Sequence, residues 1–411
     1  MTKTKPFDIT RKEVWRAYEV VKANKGAGGI DGVDLLSFEE NLKDNLYKIW
    51  NRMSSGTYFP QPLKAISIPK KSGGTRTLKI PTVADRIAQT VVKQRIEPNI
   101  EPYFYVDSYG YRPNKSAHDA IEATRSRCWK FDWVLEFDIV GLFDNINQNL
   151  LMKVVRKHVK EKWQVLYIER WLKSVVDENG KDNCGVPQGG VISPILANLF
   201  MHYAFDRWIS QEFENIAWCR YADDGLVHCK TERQAIYIKY RLAERLKECG
   251  LAMHEEKTSI VYCKDSNRKK EYDVCNFTFL GYEFRQRKAK GKDNQEFSSF
   301  LPAISTEAKS SIRKTIREWR LLWMTNKELN EIADIYNPVI RGWLNYYGKY
   351  GKRELSKVLV QINRHLCMWF RRKHKKYKHK KRESRLVLKR IATENATMFA
   401  HWKVGITEMV G

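Results

Sequence analysis

Two adjacent acids, Asp223 and Asp224, interrupt an otherwise mainly apolar stretch that reads Cys219-Arg220-Tyr221-Ala222-Asp223-Asp224-Gly225-Leu226-Val227. Asp-Gly between two strand-like runs is a strong short hairpin signal, so this stretch predicts two strands with both carboxylates at the tip. Neighbouring carboxylates repel each other, and the arrangement is costly unless a cation neutralises them. A hard divalent ion such as Mg²⁺ fits, because it takes one or two carboxylates and completes its octahedron with water and substrate phosphates. A solvated Asp-Asp-Gly turn reads the same in isolation, so the rest of the chain has to decide.

The chain has 411 residues, room for two or three domains with real cores. It carries 74 Lys and Arg against 48 Asp and Glu, a formal charge of +26. That excess favours a polyanion, whose phosphates release counterions when neutralised, although membrane-surface proteins share the trait. Thirteen Trp, 20 Tyr and 17 Phe add stacking surfaces suited to unpaired nucleic acid. The eight cysteines form no Cys-x-x-Cys pair and no metal-type Cys/His spacing, the pattern of buried free thiols in a reducing cytoplasm. No apolar run is long enough to span a bilayer, and the first residues lack the apolar core of a signal peptide, so no membrane partner is expected.

Apolar residues recur at helical spacing from Arg11 to Lys25 (Val14, Ala17, Tyr18, Val21), and glycines at 26, 28 and 29 end that helix. A second helix is expected from Ser37 to Met53, with Ser37 as N-cap and Glu40 three residues on. Leu63 to Ile80 alternates around Gly73-Gly74 and predicts a hairpin. Lys70 and Arg76 flank its turn, where they would converge on a triphosphate or simply be solvated. Another helix opens after Pro81 and runs to about Ile96, and Tyr109 to Asn114 makes a turn that sets Arg112 among aromatics, suited to a template backbone.

Trp133 to Ile139 reads as a buried strand ending in Asp138. An acid there is costly unless partnered, and it supplies the third carboxylate of a two-metal nucleotidyl-transfer site whose other ligands are Asp223 and Asp224. Five residues later, Phe143 would lie beneath the incoming sugar and leave no room for a 2′-hydroxyl, which selects deoxynucleotides; core packing is its other reading. Cys184 to Pro194 leads into a helix with Ser193 as N-cap, and Gly189-Gly190 would admit a nucleotide beside Gln188. Thr231 to Cys249 is an amphipathic helix, Lys257 is placed to meet a pyrophosphate leaving group, and Phe277 to Phe284 reads as one closing strand.

Taken in order, Lys-x5-Arg, Ser-Tyr-Gly-Tyr-Arg-Pro-Asn, Phe-Asp-Ile-x3-Phe-Asp, Pro-Gln-Gly-Gly-x2-Ser-Pro, Tyr-Ala-Asp-Asp, Glu-Lys-Thr and Phe-Leu-Gly-Tyr resemble the reverse transcriptase of group II intron-encoded proteins. The resemblance covers residues 10 to 370. It implies an α+β right-hand polymerase with an N-terminal helical extension at 1–60, fingers at 61–130, a palm at 131–285 and a thumb or maturase domain at 286–370. A basic nucleic-acid-binding segment would follow at 371–411. It implies Asp138, Asp223 and Asp224 as ligands of two Mg²⁺ ions, or Mn²⁺ in their place, with the backbone carbonyl of Ile139 beside them. Lys70, Arg76, Phe143, Gln188 and Lys257 would bind the dNTP.

Arg285 to Lys292 is a basic, Gly-containing connector and an expected domain boundary; beyond it Thr306 to Trp323 and Asn326 to Ile335 have helical periodicity. Asn337 to Tyr347 sets aromatics beside Arg341, a stretch that resembles the part of the family gripping template-primer and intron RNA. From Arg371 to Arg382 nine of twelve residues are Lys or Arg, among them Arg371, Arg372 and Lys373. Such a run repels itself and awaits a polyanion. Only Cys367 lies past residue 275, so the paired cysteines of the HNH endonuclease are missing and the compact type is expected. The expected activity is RNA-directed DNA synthesis from a DNA primer on an RNA template, with the intron RNA and dNTPs as expected partners, in a bacterial-type cytosol with nucleoid or ribonucleoprotein. The residues leave open an RNA-binding splicing factor, a host-adapted polymerase in repair or phage defence, and a monomer or a homodimer.

Overall fold

The computed structural model describes residues 5–69, 74–174, 183–291 and 293–409. It is an α+β chain, with three sheets among many helices in the described residues, and it divides into two compact units, residues 1–120 with 134–260 and residues 121–133 with 261–411. None of its described helices is long and apolar enough to cross a membrane.

In the first unit, helix Arg11–Ala23 buries the four expected residues, Val14, Ala17, Tyr18 and Val21. Thr10 caps it: the Glu13 N–H donates to Thr10 Oγ1 at 3.2 Å and the Thr10 N–H returns to Glu13 Oε2 at 2.8 Å. The helix expected from Ser37 is instead two, Leu35–Glu40 and Leu42–Ser55, because Asp34 takes the Ser37 N–H as N-cap and the chain breaks at Asn41. Strands β1 (Lys64–Pro69) and β2 (Thr75–Ile80) pair antiparallel from Lys64 opposite Ile80 to Pro69 opposite Thr75, the expected hairpin. Helix Val83–Ile100 starts from the Thr82 cap and buries Asp85, whose carboxylate accepts from Tyr58 at 2.7 Å and Thr82 at 2.8 Å. Ser193 is the first turn of helix Ser193–Met201 rather than its cap, which is Ile192.

A four-stranded sheet carries the acids. It comprises β3 (Trp133–Phe137), β4 (Ala217–Tyr221), β5 (Asp224–Cys229) and β6 (Ser259–Tyr262), in the order β4-β5-β3-β6. Val134, Leu135, Phe137, Leu226 and Val227 are all buried, which roots the sheet in apolar core.

In the second unit the expected strand Phe277–Phe284 is a hairpin. Leu280 and Gly281 have φ of +52° and +76°, so the chain reverses there between β7 (Asn276–Phe279) and β8 (Tyr282–Lys290). The expected connector at 285–292 is therefore largely strand: β8 continues to Lys290 and pairs along its length with β9 (Glu296–Ile304). The two helical stretches on either side of Tyr336 are one helix, Leu329–Tyr347, with Pro338 inside. Nor does the basic run stand apart as a tail. It finishes helix Lys352–Lys373, passes a short turn at Lys375–Tyr377 and enters helix Lys381–Glu394, whose Leu388 and Ala392 share a core with Ile316, Leu359, Trp369 and Trp402. Its charge is spread over helix surfaces while its apolar residues hold it down. All eight cysteines are free thiols, six of them buried.

His401 lies in that core, its Nε2 at 2.7 Å from Asn363 Oδ1, an atom that also accepts from Trp402 Nε1 at 2.8 Å. Burial pushes the His401 imidazole down to about 3. The unfolded chain takes up a proton near pH 6.5 that the folded chain refuses until about pH 3, so this residue's contribution falls as pH drops below 6.5. Urea unfolding between pH 7 and 5 should show stability falling towards acid by up to about 1.4 kcal/mol per pH unit from this group. His401→Gln, which keeps a donor for Asn363, should flatten that slope.

Candidate active site

Pairing of Tyr221 with Asp224 makes Ala222 and Asp223 the two turn residues of the β4–β5 hairpin, two residues earlier than the Asp-Gly signal suggests. Ala222 takes φ +59°, a conformation that side chains other than Gly rarely adopt. Gly225 sits inside β5 for another reason: a Cβ there would stand 2.1 Å from the ring of Phe137. The missing side chain lets β3 press against the hairpin, and the residue after Phe137 is Asp138.

The segment past β3 is clamped. His254 N–H donates to the Asp138 carbonyl at 2.8 Å, Val140 N–H donates to the Ala252 carbonyl at 2.9 Å, and Ile139 bridges Met253. A single turn at Glu255–Lys257 then delivers Lys257, whose Nζ donates to Asp138 Oδ2 at 2.6 Å.

The charges respond to one another. Burial raises the Asp223 carboxyl, and Asp138 raises it further while Lys257 opposes both. Asp224 opens to solvent but is crowded closely enough that desolvation, then Asp223 and Asp138, push it up to about 7. Lys257 is raised chiefly by its hydrogen bond to Asp138. These acids thus share one field with an ammonium as internal counter-charge, a donor set that a hard cation would suit. Among the described residues no three His, Cys, Asp or Glu side chains form a ready-made metal cage; an ion that takes one or two carboxylates and fills its shell from substrate needs none.

The segments carrying Phe143 and Gln188 are joined by one backbone and one side-chain hydrogen bond. Phe143 lies half-buried in the turn Leu142–Asn145, its carbonyl accepting the Val186 N–H at 2.6 Å, and Gln188 Nε2 donates to Asp144 Oδ2 at 2.9 Å. The Gln188 carbonyl in turn accepts the Lys79 N–H at 2.7 Å, which ties this loop to β2. Arg76 is exposed on β2 and lies within electrostatic reach of Tyr111; Lys70 falls outside the described residues.

Arg112 has an internal task in place of the expected template contact. Its guanidinium donates to Glu101 at 2.7 and 2.9 Å and to the carbonyls of Tyr105 and Ser108, which leaves the side chain 6% exposed. In the second unit Arg341 is exposed on helix Leu329–Tyr347, Arg371 is half-buried, Arg372 lies 4.1 Å over the Trp323 ring, and Lys373 donates to the Lys327 carbonyl and Glu328.

Two residues that the sequence alone does not single out complete the site. Arg220 is fully buried and spends all five N–H donors: Nε and Nη2 fork onto Asp206 at 2.6 and 2.7 Å, Nη1 reaches Asn198 and the Ala222 carbonyl, and Nη2 also reaches Ser108. It fixes the turn that presents Asp223. Tyr111, at φ +57°, follows Gly110, where a Cβ would stand 2.5 Å from the Ala222 nitrogen; its side chain is half-exposed, yet partial desolvation and Asp223 raise its hydroxyl. Its place in a Tyr-Gly-Tyr repeat was the available signal; for Arg220 the chain gives none, since Asp206 is not within its strand.

Sheet-borne carboxylates beside a lysine, on a strongly basic α+β chain, are the makings of a nucleic-acid polymerase. Residues 68–284 match the family described as reverse transcriptase (RNA-dependent DNA polymerase), and residues 309–387 match the group II intron, maturase-specific domain. The chain belongs to the reverse transcriptase family, with the right-hand polymerase fold and RNA-directed DNA polymerase activity of its group II intron-encoded branch. Protein YkfC of Escherichia coli (strain K12) is 29% identical over 69% of this chain and 83% of its own length. Group II intron-encoded protein LtrA of Lactococcus lactis subsp. cremoris is 29% identical over 86% of this chain and 71% of its own. The putative COX1/OXI3 intron 1 protein of Saccharomyces cerevisiae is 24% identical over 80% and 48%.

Arg220→Met would strand the Asp206 carboxylate without a counter-charge in the core. Urea unfolding should show a loss of about 3–5 kcal/mol. Asp206→Asn in the same chain should recover part of it, since no unpaired charge then remains.

Proposed function

We propose that this chain extends a DNA primer on an RNA template, with intron RNA as the natural template, at a site formed by Asp138, Asp223 and Asp224, and that it assists splicing of that RNA as a maturase. The observation that carries the reading is the mutual electrostatic effect of these carboxylates, with Lys257 at 2.6 Å from Asp138. Residues far apart in sequence have been gathered into one field, at the cost of desolvating them.

Divalent ions, Mg²⁺ by the hardness of the donors, would be held by these acids with the Ile139 carbonyl beside them, and would supply charge neutralisation and Lewis acidity at the α-phosphate. In the reaction the primer 3′-oxygen forms a bond to the α-phosphorus as its proton leaves, and the bond to the bridging oxygen breaks, releasing pyrophosphate. Lys257 exchanges its contact with Asp138 for the departing phosphates, as charge or as proton donor. Arg76 and Lys70 meet the triphosphate, Gln188 positions the nucleotide, and Phe143 closes the space that a 2′-hydroxyl would need. Arg341 and the cations at 371–373 hold nucleic acid through phosphates. The proposed setting is the cytosol, in complex with RNA.

Asp223→Asn should retain the fold and lower primer extension on an RNA template by about a thousandfold, the several kcal/mol of charge stabilisation that such a ligand supplies. Synthesis at the parent rate would refute the assignment. Phe143→Ala should narrow the preference for dNTPs over rNTPs, measured as the ratio of kcat/KM, by at least about tenfold, or ~1.4 kcal/mol. An unchanged ratio would return Phe143 to packing.

A further inference from the structure

The second unit contains a cavity of about 540 Å³ that none of the proposed polymerase residues lines. Two regular elements furnish its cations at fixed spacing. Arg285 and Arg287 alternate along β8 and so share a face, with Lys288 next to them; Arg353 and Lys357 stand one turn apart in the first turns of helix Lys352–Lys373. Arg125 and Lys349 add to them.

Acids do not balance this set. Glu354 is the lone acid among the lining residues, and it serves both Lys309 at 2.7 Å and Lys357 at 2.5 Å. Glu283 is shared by Arg285 and Arg287, both at 2.9 Å; Glu122 takes Arg125 at 2.8 Å, and Glu296 lies 4.0 Å from Lys288. Arg353 has no carboxylate partner among the described residues. Burial first, then Arg285, lower the Arg287 guanidinium, while Glu283 and Glu354 oppose the shift.

The lining also says which part of a ligand it would read. Its aromatic ring, Tyr350, already lies under the Arg125 guanidinium at 5.4 Å and the Lys349 ammonium at 5.4 Å, and its hydroxyl donates to Glu122 at 2.5 Å. The ring is thus committed to cations rather than to a stacked base. Arg287 is turned inward, its Nε donating to the Leu301 carbonyl and its Nη2 to Glu283, but Arg285 and Arg353 offer guanidinium forks and Lys288 and Lys357 point charges, both suited to phosphate oxygens.

We propose that this cavity is a second nucleic-acid site, which grips the phosphodiester backbone of a polynucleotide strand without reading its bases. It rests on the reading of the chain as a polymerase that works on RNA, and it adds an anchoring point to that reading.

The test uses the full chain with Arg285→Gln, Lys288→Gln, Arg353→Gln and Lys357→Gln combined, beside a charge-keeping version with Arg285→Lys, Lys288→Arg, Arg353→Lys and Lys357→Arg. Binding of a labelled RNA homopolymer, and of the DNA homopolymer of equal length, is followed over a salt series with unlabelled short template-primer saturating the polymerase site. The slope of log affinity against log salt should flatten by about 0.7 for each phosphate no longer neutralised, or about 3 for four phosphates, equally for RNA and DNA. The charge-keeping version should hold the parent slope, and both should extend a short template-primer at the parent rate.

An unchanged slope overturns the proposal, as does an effect confined to RNA, which would mean recognition other than through phosphates. Parallel loss of extension would assign the cavity to the template track instead, and saturation by inorganic pyrophosphate that the homopolymers cannot displace would make the occupant a small anion. Failure of the Asp223→Asn experiment is separate, because that variant should bind the homopolymers as the parent does.

Discussion

The buried fork between Arg220 and Asp206 is what the acid-bearing hairpin depends on. A guanidinium with no access to water is tolerated only when every N–H finds an acceptor, and here the acceptors come from four places: Asp206, Asn198, Ser108 and the Ala222 carbonyl. Arg220 also pairs through its backbone with the segment at 107–109, its N–H to the Asp107 carbonyl at 3.0 Å and its carbonyl from the Tyr109 N–H at 2.9 Å. One residue therefore joins the hairpin, the helix that follows Ser193 and the turn that carries Tyr111. The strained Ala222 conformation persists because its carbonyl is one of the acceptors.

Much of this is legible in the residues. An amphipathic helix from Arg11 and a hairpin closing at Ile80 follow from period and turn residues, and the cost of burying charge singles out the acids at 138, 223 and 224, although the Thr10 cap of the first helix is not read. What escapes has no local signature. Gly225 reads as a turn residue, yet its role is to admit the ring of Phe137, a neighbour from another strand. Arg112 reads as a template contact because it stands among aromatics, but Glu101, which consumes it, lies in a different turn. Arg285 to Lys292 reads as a connector because its charges hide the alternation of a two-faced strand; pairing of β8 with β9 as far as Lys290 decides it.

The basic stretch at 371–382 teaches a similar lesson about charge. Taken as a run it repels itself, yet Arg372 lies over Trp323, Lys373 is bound to Lys327 and Glu328, and the residues beyond return apolar side chains to the core. Helical geometry disperses neighbouring charges around an axis, so composition overstates their repulsion.

The close approach of Gly225 and Phe137 ties the fates of two positions together. With no slack between that ring and the β5 backbone, neither site can drift in size unless the other changes in the same step. Descendants of this chain are thus confined to a narrow corridor at these two codons, where only paired changes keep the strands in contact.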